Sequence, residues 1–171
     1  MAEHILRAAL ARSGPPWAIR SAGTQALDGR PMAEFAARVL QERGVRVADW
    51  STTQLTPDLI DAADLVLTAE SEHRAAVVSL RPAAATRTFT LLQFARLAEA
   101  STPSPAAVSI DDLGHDLIVR ARSVRGTVHP IPGRNELPDP MGMSIARFRG
   151  CAATIDRAIN QIMRAAVDPL S

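Results

Sequence analysis

Two short segments hold residue types whose spacing could support chemistry. The first is ELPDPMG, residues 136–142, in which Asp139 stands between Pro138 and Pro140. Proline locks its own φ, so a carboxylate between two prolines sits on a stiff loop and can be held where it gives or takes a proton. Asp-Pro is equally an ordinary turn or helix-capping pattern, and the residues alone leave both readings open. The second segment is CAATIDR, residues 151–157, which spaces Cys151 and Arg157 as a thiol and a cation in the form C-x5-R. It has no glycine, follows no predicted strand and lies inside a strongly periodic helical stretch whose backbone N–H groups are already used. Cys151 is therefore read as a structural or half-buried thiol and not as a nucleophile.

Other polar residues carry weaker signals. Ser21 opens SAGT at the end of a predicted strand, where a hydroxyl commonly satisfies local backbone groups. His73 falls in the first turn of a predicted helix, and His115 and His129 are too scattered to suggest a metal triad. Arg120, Arg122 and Arg125 form a modest basic cluster that could meet an acidic or phosphorylated partner, although a solvated helix face is the commoner reading.

These residues must be positioned by a chain of 171 residues, enough for one domain with a sizeable core, and one domain over residues 1–171 is expected. A formal charge of +1 supplies no strong field, so nucleic acid and anionic membranes are not expected partners. All 19 Lys or Arg residues are Arg, a compositional trait that says nothing of partners. Cys151 is the single cysteine, which excludes an internal disulfide and fits a reducing compartment. No apolar run approaches the length of a membrane span, and the amphipathic first residues do not resemble a signal peptide; a cytoplasmic protein is expected.

Periodicity lays out the elements. Ile5, Leu6, Ala9 and Leu10 make one face of an opening helix with no capping residue ahead of it. A Gly-Pro-Pro turn at 14–16 precedes a strand expected over 17–23, and Pro31 opens a helix that Gly44 stops. Residues 45–50 read as a short extended piece and 56–63 as a brief helix. A strand is expected at 64–69, a helix at 71–80 with Ser71 as its N-cap, a strand at 86–90 and a helix at 91–100. A Ser/Thr/Pro/Ala loop at 101–109, a helix at 110–125, an irregular stretch at 126–142 and a long helix at 144–166 complete the pattern. Strands alternating with helices point to βαβ units: an α/β fold with a mainly parallel sheet covered on both faces.

Three stretches in this order carry a resemblance: MAEHILR at the start, SAGT with GRPM after it, and ELPDPMGMS before the last helix. Together they resemble the low-molecular-weight protein-tyrosine-phosphatase family over nearly the whole chain. The resemblance implies a three-layer α/β domain whose first helix follows a central strand and a C-x5-R-S-P loop. In that loop backbone N–H groups and the arginine cradle phosphate, while the cysteine thiolate attacks phosphorus to form a phospho-enzyme, without metal or cofactor. Met1 aligns just after the family's loop proline. The loop and its strand are therefore expected to be missing here, either because Met1 is an internal methionine of a longer protein or because the chain is a truncated paralogue.

The resemblance further implies that Asp139 is the general acid, protonating the departing tyrosine oxygen and later activating water. It implies that Ser21 helps to hold the phosphate loop. Met141 stands where the family often has an aromatic residue that walls the phosphotyrosine pocket; simple loop packing is the competing reading. The expected substrate is a phosphotyrosine protein or a small aryl phosphate, and these residues alone are expected to be inactive. A noncatalytic interaction protein is the alternative. An arsenate reductase on the same fold is disfavoured by the lack of further thiols, unless an external thiol resolves its intermediate. Oligomeric state is not legible.

Overall fold

The computed structural model describes residues 1–13, 15–47, 50–102, 109–110, 112–129, 133 and 135–167. The chain begins with helix α1 (Ala2–Ser13), which buries Ile5 and Ala9 from the predicted face. The strand expected at 17–23 does not form. Only Gly23 pairs, in an isolated parallel bridge to Gln54, with Gly23 N–H donating to Thr53 O at 2.9 Å and Leu55 N–H to Gly23 O at 2.9 Å. A strand needs a neighbour to receive its N–H and C=O groups. Among the described residues Ile19 O is met instead by a side chain, the Arg7 guanidinium.

Helix α2 (Glu34–Glu42) starts three residues after Pro31, with Pro31–Ala33 outside it, and ends where Gly44 takes φ +69°. Helix α3 (Pro57–Asp61) is capped as its sequence dictates, the Thr56 hydroxyl accepting from Leu59 N–H. Strand β1 (Val66–Thr68) pairs in parallel with β2 (Thr88–Thr90), in the register Val66 to Thr88, Leu67 to Phe89 and Thr68 to Thr90. Between them run helix α4 (Ser71–Leu80) and a 3-10 turn (Pro82–Arg87) that takes up the first two residues of the strand expected at 86–90. Both strands contact α4 and α5 (Leu91–Ala100), which makes the fold α/β with a small parallel sheet.

Helix α6 (Leu113–Ser123) is shorter than the sequence suggests. Helix α7 (Ile145–Val167) buries Phe148, Ala152, Ile155, Ala158, Ile159, Ile162 and Ala166 and packs on α1, α2, α5 and α6. At about 1.5–3 kcal/mol for each large apolar side chain buried, this stripe is a principal source of stability. Most of the expected loop at 101–109, and parts of the pieces at 14–16, 45–50 and 126–142, lie outside the described residues. Among the described residues no helix is long and apolar enough to cross a membrane.

Candidate active site

The loop that carries Asp139 is fastened at its root. Leu137 is buried and its N–H donates to Ala69 O at 3.0 Å, so the loop is tied to the residue that follows β1. Glu136 turns the other way and accepts from Ser71 N–H at 2.8 Å and from the Ser71 hydroxyl. Ser71 is thus the first residue of α4 and not its cap: Glu70 occupies the cap position without a side-chain bond, and the capping acceptor comes from a residue 65 positions away. A carboxylate at that helix end is favoured by the unsatisfied N–H groups and their partial positive charge.

Beyond these two anchors the chain turns sharply. Met143 N–H donates to Pro140 O at 3.0 Å, and Gly142 takes φ +73° at the third position of the turn, which a side chain would resist. Asp139 is exposed, and its Oδ1 accepts from Met141 N–H at 3.0 Å, leaving the rest of the carboxylate to solvent. The prolines divide the work: Pro140 is buried and Pro138 exposed. Met141 and Met143 project beside Phe35 and Phe148, whose rings meet edge-on, and with Ala33 and Glu34 they line an open hollow of about 280 Å³.

Ser21 is exposed and its hydroxyl donates to the Glu3 carboxylate in the first turn of α1. The same carboxylate accepts from Trp50 Nε1 at 3.2 Å and pairs with Arg7 at 2.8 Å, although its side chain is only 8 % exposed. Glu3 therefore gathers three donors at the start of α1. The Glu3–Arg7 spacing of one helical turn is visible in the sequence; the approach of Ser21 and Trp50 is not.

Cys151 lies in α7, half-buried and packed against the core, with burial raising its thiol pKa and the nearby Asp139 carboxylate adding to the rise. That environment disfavours a thiolate. The Met1 amino group acts on the same thiol in the opposite sense, lowering its pKa, while burial lowers the pKa of the amino group itself.

Of the arginine cluster Arg122 is exposed, as a solvated face requires, whereas Arg120 and Arg125 turn inward. Arg120 is buried, donating to Asp116 at 2.6 Å, Ser101 Oγ at 3.2 Å and Ala165 O at 3.0 Å. Arg125 donates to Ala85 O and Thr88 O, both at 3.1 Å, and covers the Phe89 ring at 4.3 Å.

A family model described as low molecular weight phosphotyrosine protein phosphatase matches residues 1–118. The chain belongs to this family. Over 80 residues it is 38% identical to a probable low molecular weight protein-tyrosine-phosphatase, AmsI, of Erwinia amylovora, covering 47% of this chain and 53% of that protein. Over 76 residues it is 40% identical to a protein-arginine-phosphatase of Geobacillus stearothermophilus, covering 44% and 51%. The chain thus spans about half the length of the curated relatives it matches. The fold is that of low molecular weight phosphatases solved before. The Erwinia amylovora AmsI crystal structure superposes with a TM-score of 0.68 at 22% identity, over 96% of this chain and 82% of that one. The low molecular weight protein tyrosine phosphatase from T. tengcongensis gives 0.69 at 23%, over 95% and 87%.

Proposed function

We propose that this chain carries the acid half of a low molecular weight phosphatase that hydrolyses phosphotyrosine or aryl phosphate monoesters through a cysteinyl-phosphate intermediate. Asp139 is the general acid and Met141 a wall of the aryl pocket. Ser21 acts through Glu3, orienting the first turn of α1 beneath the phosphate loop. The observation that carries this reading is the geometry of the acid loop: Leu137 and Glu136 hold its root to β1 and α4, while Asp139 is presented to solvent beside an apolar hollow. A leaving-group oxygen at the rim of that hollow could take the Asp139 proton while its ring lay along Met141 and Phe35. The lone cysteine supports a cytoplasmic setting.

Within these 171 residues the C-x5-R spacing occurs inside α7, whose backbone N–H groups are already engaged, which supports reading Cys151 as a structural thiol and not as the nucleophile. The test is hydrolysis of aryl phosphate and of phosphoarginine by the 171-residue chain and by a version extended at Met1 with a strand and a C-x5-R-S-P loop. The expected result is no turnover by the first and aryl phosphate turnover by the second. Equal turnover by both would place the nucleophile elsewhere, and preference for phosphoarginine would replace the aryl substrate. An inert, folded extended version would favour the alternative, a noncatalytic interaction protein.

A further inference from the structure

A second hollow, of about 60 Å³, lies at α5 away from the acid-loop hollow and shares no lining residue with it. Gln93, Arg96, Leu97, Arg125, Val128 and Asn135 line it. Its polar wall is two guanidiniums and two carboxamides, with no carboxylate among the described residues. Arg96 donates from Nη1 to Asn135 Oδ1 at 2.7 Å and from Nη2 to His129 O at 2.8 Å. Arg125 and Arg74 converge on the same two carbonyls, Arg74 giving Nε to Thr88 O at 3.0 Å and Nη2 to Ala85 O at 3.5 Å.

These partners are neutral. Carbonyls at the end of the 3-10 turn carry partial negative charge and ease the burial of cations there. They do not cancel it: among the described residues none of Arg74, Arg96 and Arg125 enters an ion pair, whereas Arg7, Arg38, Arg43, Arg81, Arg120 and Arg149 do. Burial, and then the neighbouring Arg74 and Arg122 charges, lower the pKa of Arg125, as uncompensated positive potential should.

We propose that this hollow binds one free tetrahedral oxyanion, phosphate or sulfate, between Arg96 and Arg125. Guanidinium groups match such oxygens in a planar, two-pronged geometry. The volume equals the share of about two liquid water molecules, room for a single small ion. Gln93 lies in the first turn of α5, where the helix end favours negative charge.

Thermal unfolding of the full chain in phosphate, sulfate and chloride at equal ionic strength tests this. At about ten times the dissociation constant, phosphate and sulfate should each raise the midpoint by about 3–6 °C over chloride, with one site by calorimetric titration. Arg96→Gln should lose this response. Gln93→Glu should place a carboxylate in the hollow, raising the midpoint in chloride and abolishing the response to added oxyanion. A wild-type chain that responds no more to sulfate and phosphate than to chloride overturns the proposal. So does a full response in both variants, which would put the anion elsewhere, the end of the molecule bearing Asp139 included. If Arg96→Gln fails to fold, Gln93→Glu decides alone.

Discussion

Glu136 takes two hydrogen bonds from one residue, Ser71, accepting its backbone N–H on one oxygen and its hydroxyl on the other. The pair joins the root of the Asp139 loop to the first residue of α4, one step from the Leu137–Ala69 bond just beyond β1. Glu136→Ala is expected to cost about 0.5–2 kcal/mol, the range for losing a helix cap. It should also speed amide exchange at Leu137 while leaving Phe89 protected. Urea unfolding with site-resolved exchange checks both; unaltered Leu137 protection would mean that Glu136 does not hold the loop.

Asp139 has its own test in the chain extended with a phosphate loop. Asp139→Asn keeps an acceptor for Met141 N–H and removes the proton donor, so the loop should stand while turnover falls by roughly 10²–10⁴ for aryl phosphates with poor leaving groups. Substrates with good leaving groups should suffer less. A uniform loss across leaving groups would point to damaged structure instead of a lost acid.

The Arg120–Asp116 pair is buried, with side chains 8 % and 15 % exposed, so removing one partner strands the other. Arg120→Met is expected to lose about 3–5 kcal/mol, and the double variant with Asp116→Leu to recover much of it. Chemical unfolding of the two single variants and the double one reads the coupling directly. Additive losses would show that the pair is not a unit.

His4 predicts an acid limit. Its Nδ1 is buried without a partner among the described residues, its ring meets Trp50 edge-on at 6.0 Å, and burial lowers its pKa below 6.5. The unfolded chain then takes up the proton first as pH falls. The stability this group contributes is whole above about pH 6.5 and is lost as pH falls through the lower folded value. Unfolding free energies measured from pH 8 to pH 5 should decline over the acid part of that range, and His4→Gln should flatten the decline. The same slope in both proteins would assign it to other groups.

Helix faces were legible because their signal is local: Ile145, Phe148, Ala152, Ile155, Ile159 and Ile162 recur at helical spacing, and all but the half-buried Ile145 are buried. Thr56 before Pro57 and Gly44 after Glu42 marked their boundaries for the same reason. The segment 17–23 failed as a strand because apolar alternation describes one chain and a ladder requires two. Ser71 was misplaced by one position because its acceptor, Glu136, is remote. Arg120 and Arg125 read as solvated because charge pattern alone does not show Ser101, Ala165 or Phe89 closing over them. At the site, Asp139 and Ser21 stood out by sequence context, whereas Glu3, Trp50 and Glu136, which tie their surroundings together, gave little or no signal.

Helix α7 also imposes an order of events during synthesis. It reaches α1, α2, α5 and α6, so four earlier elements wait for a surface that leaves the ribosome after all of them. Until residues near Ala166 emerge, Ile5, Val39 and Phe94 lack the apolar wall that shields them from water. The nascent chain is therefore expected to expose this apolar surface until the last helix docks, and exposure to chaperones or to aggregation is expected to end there.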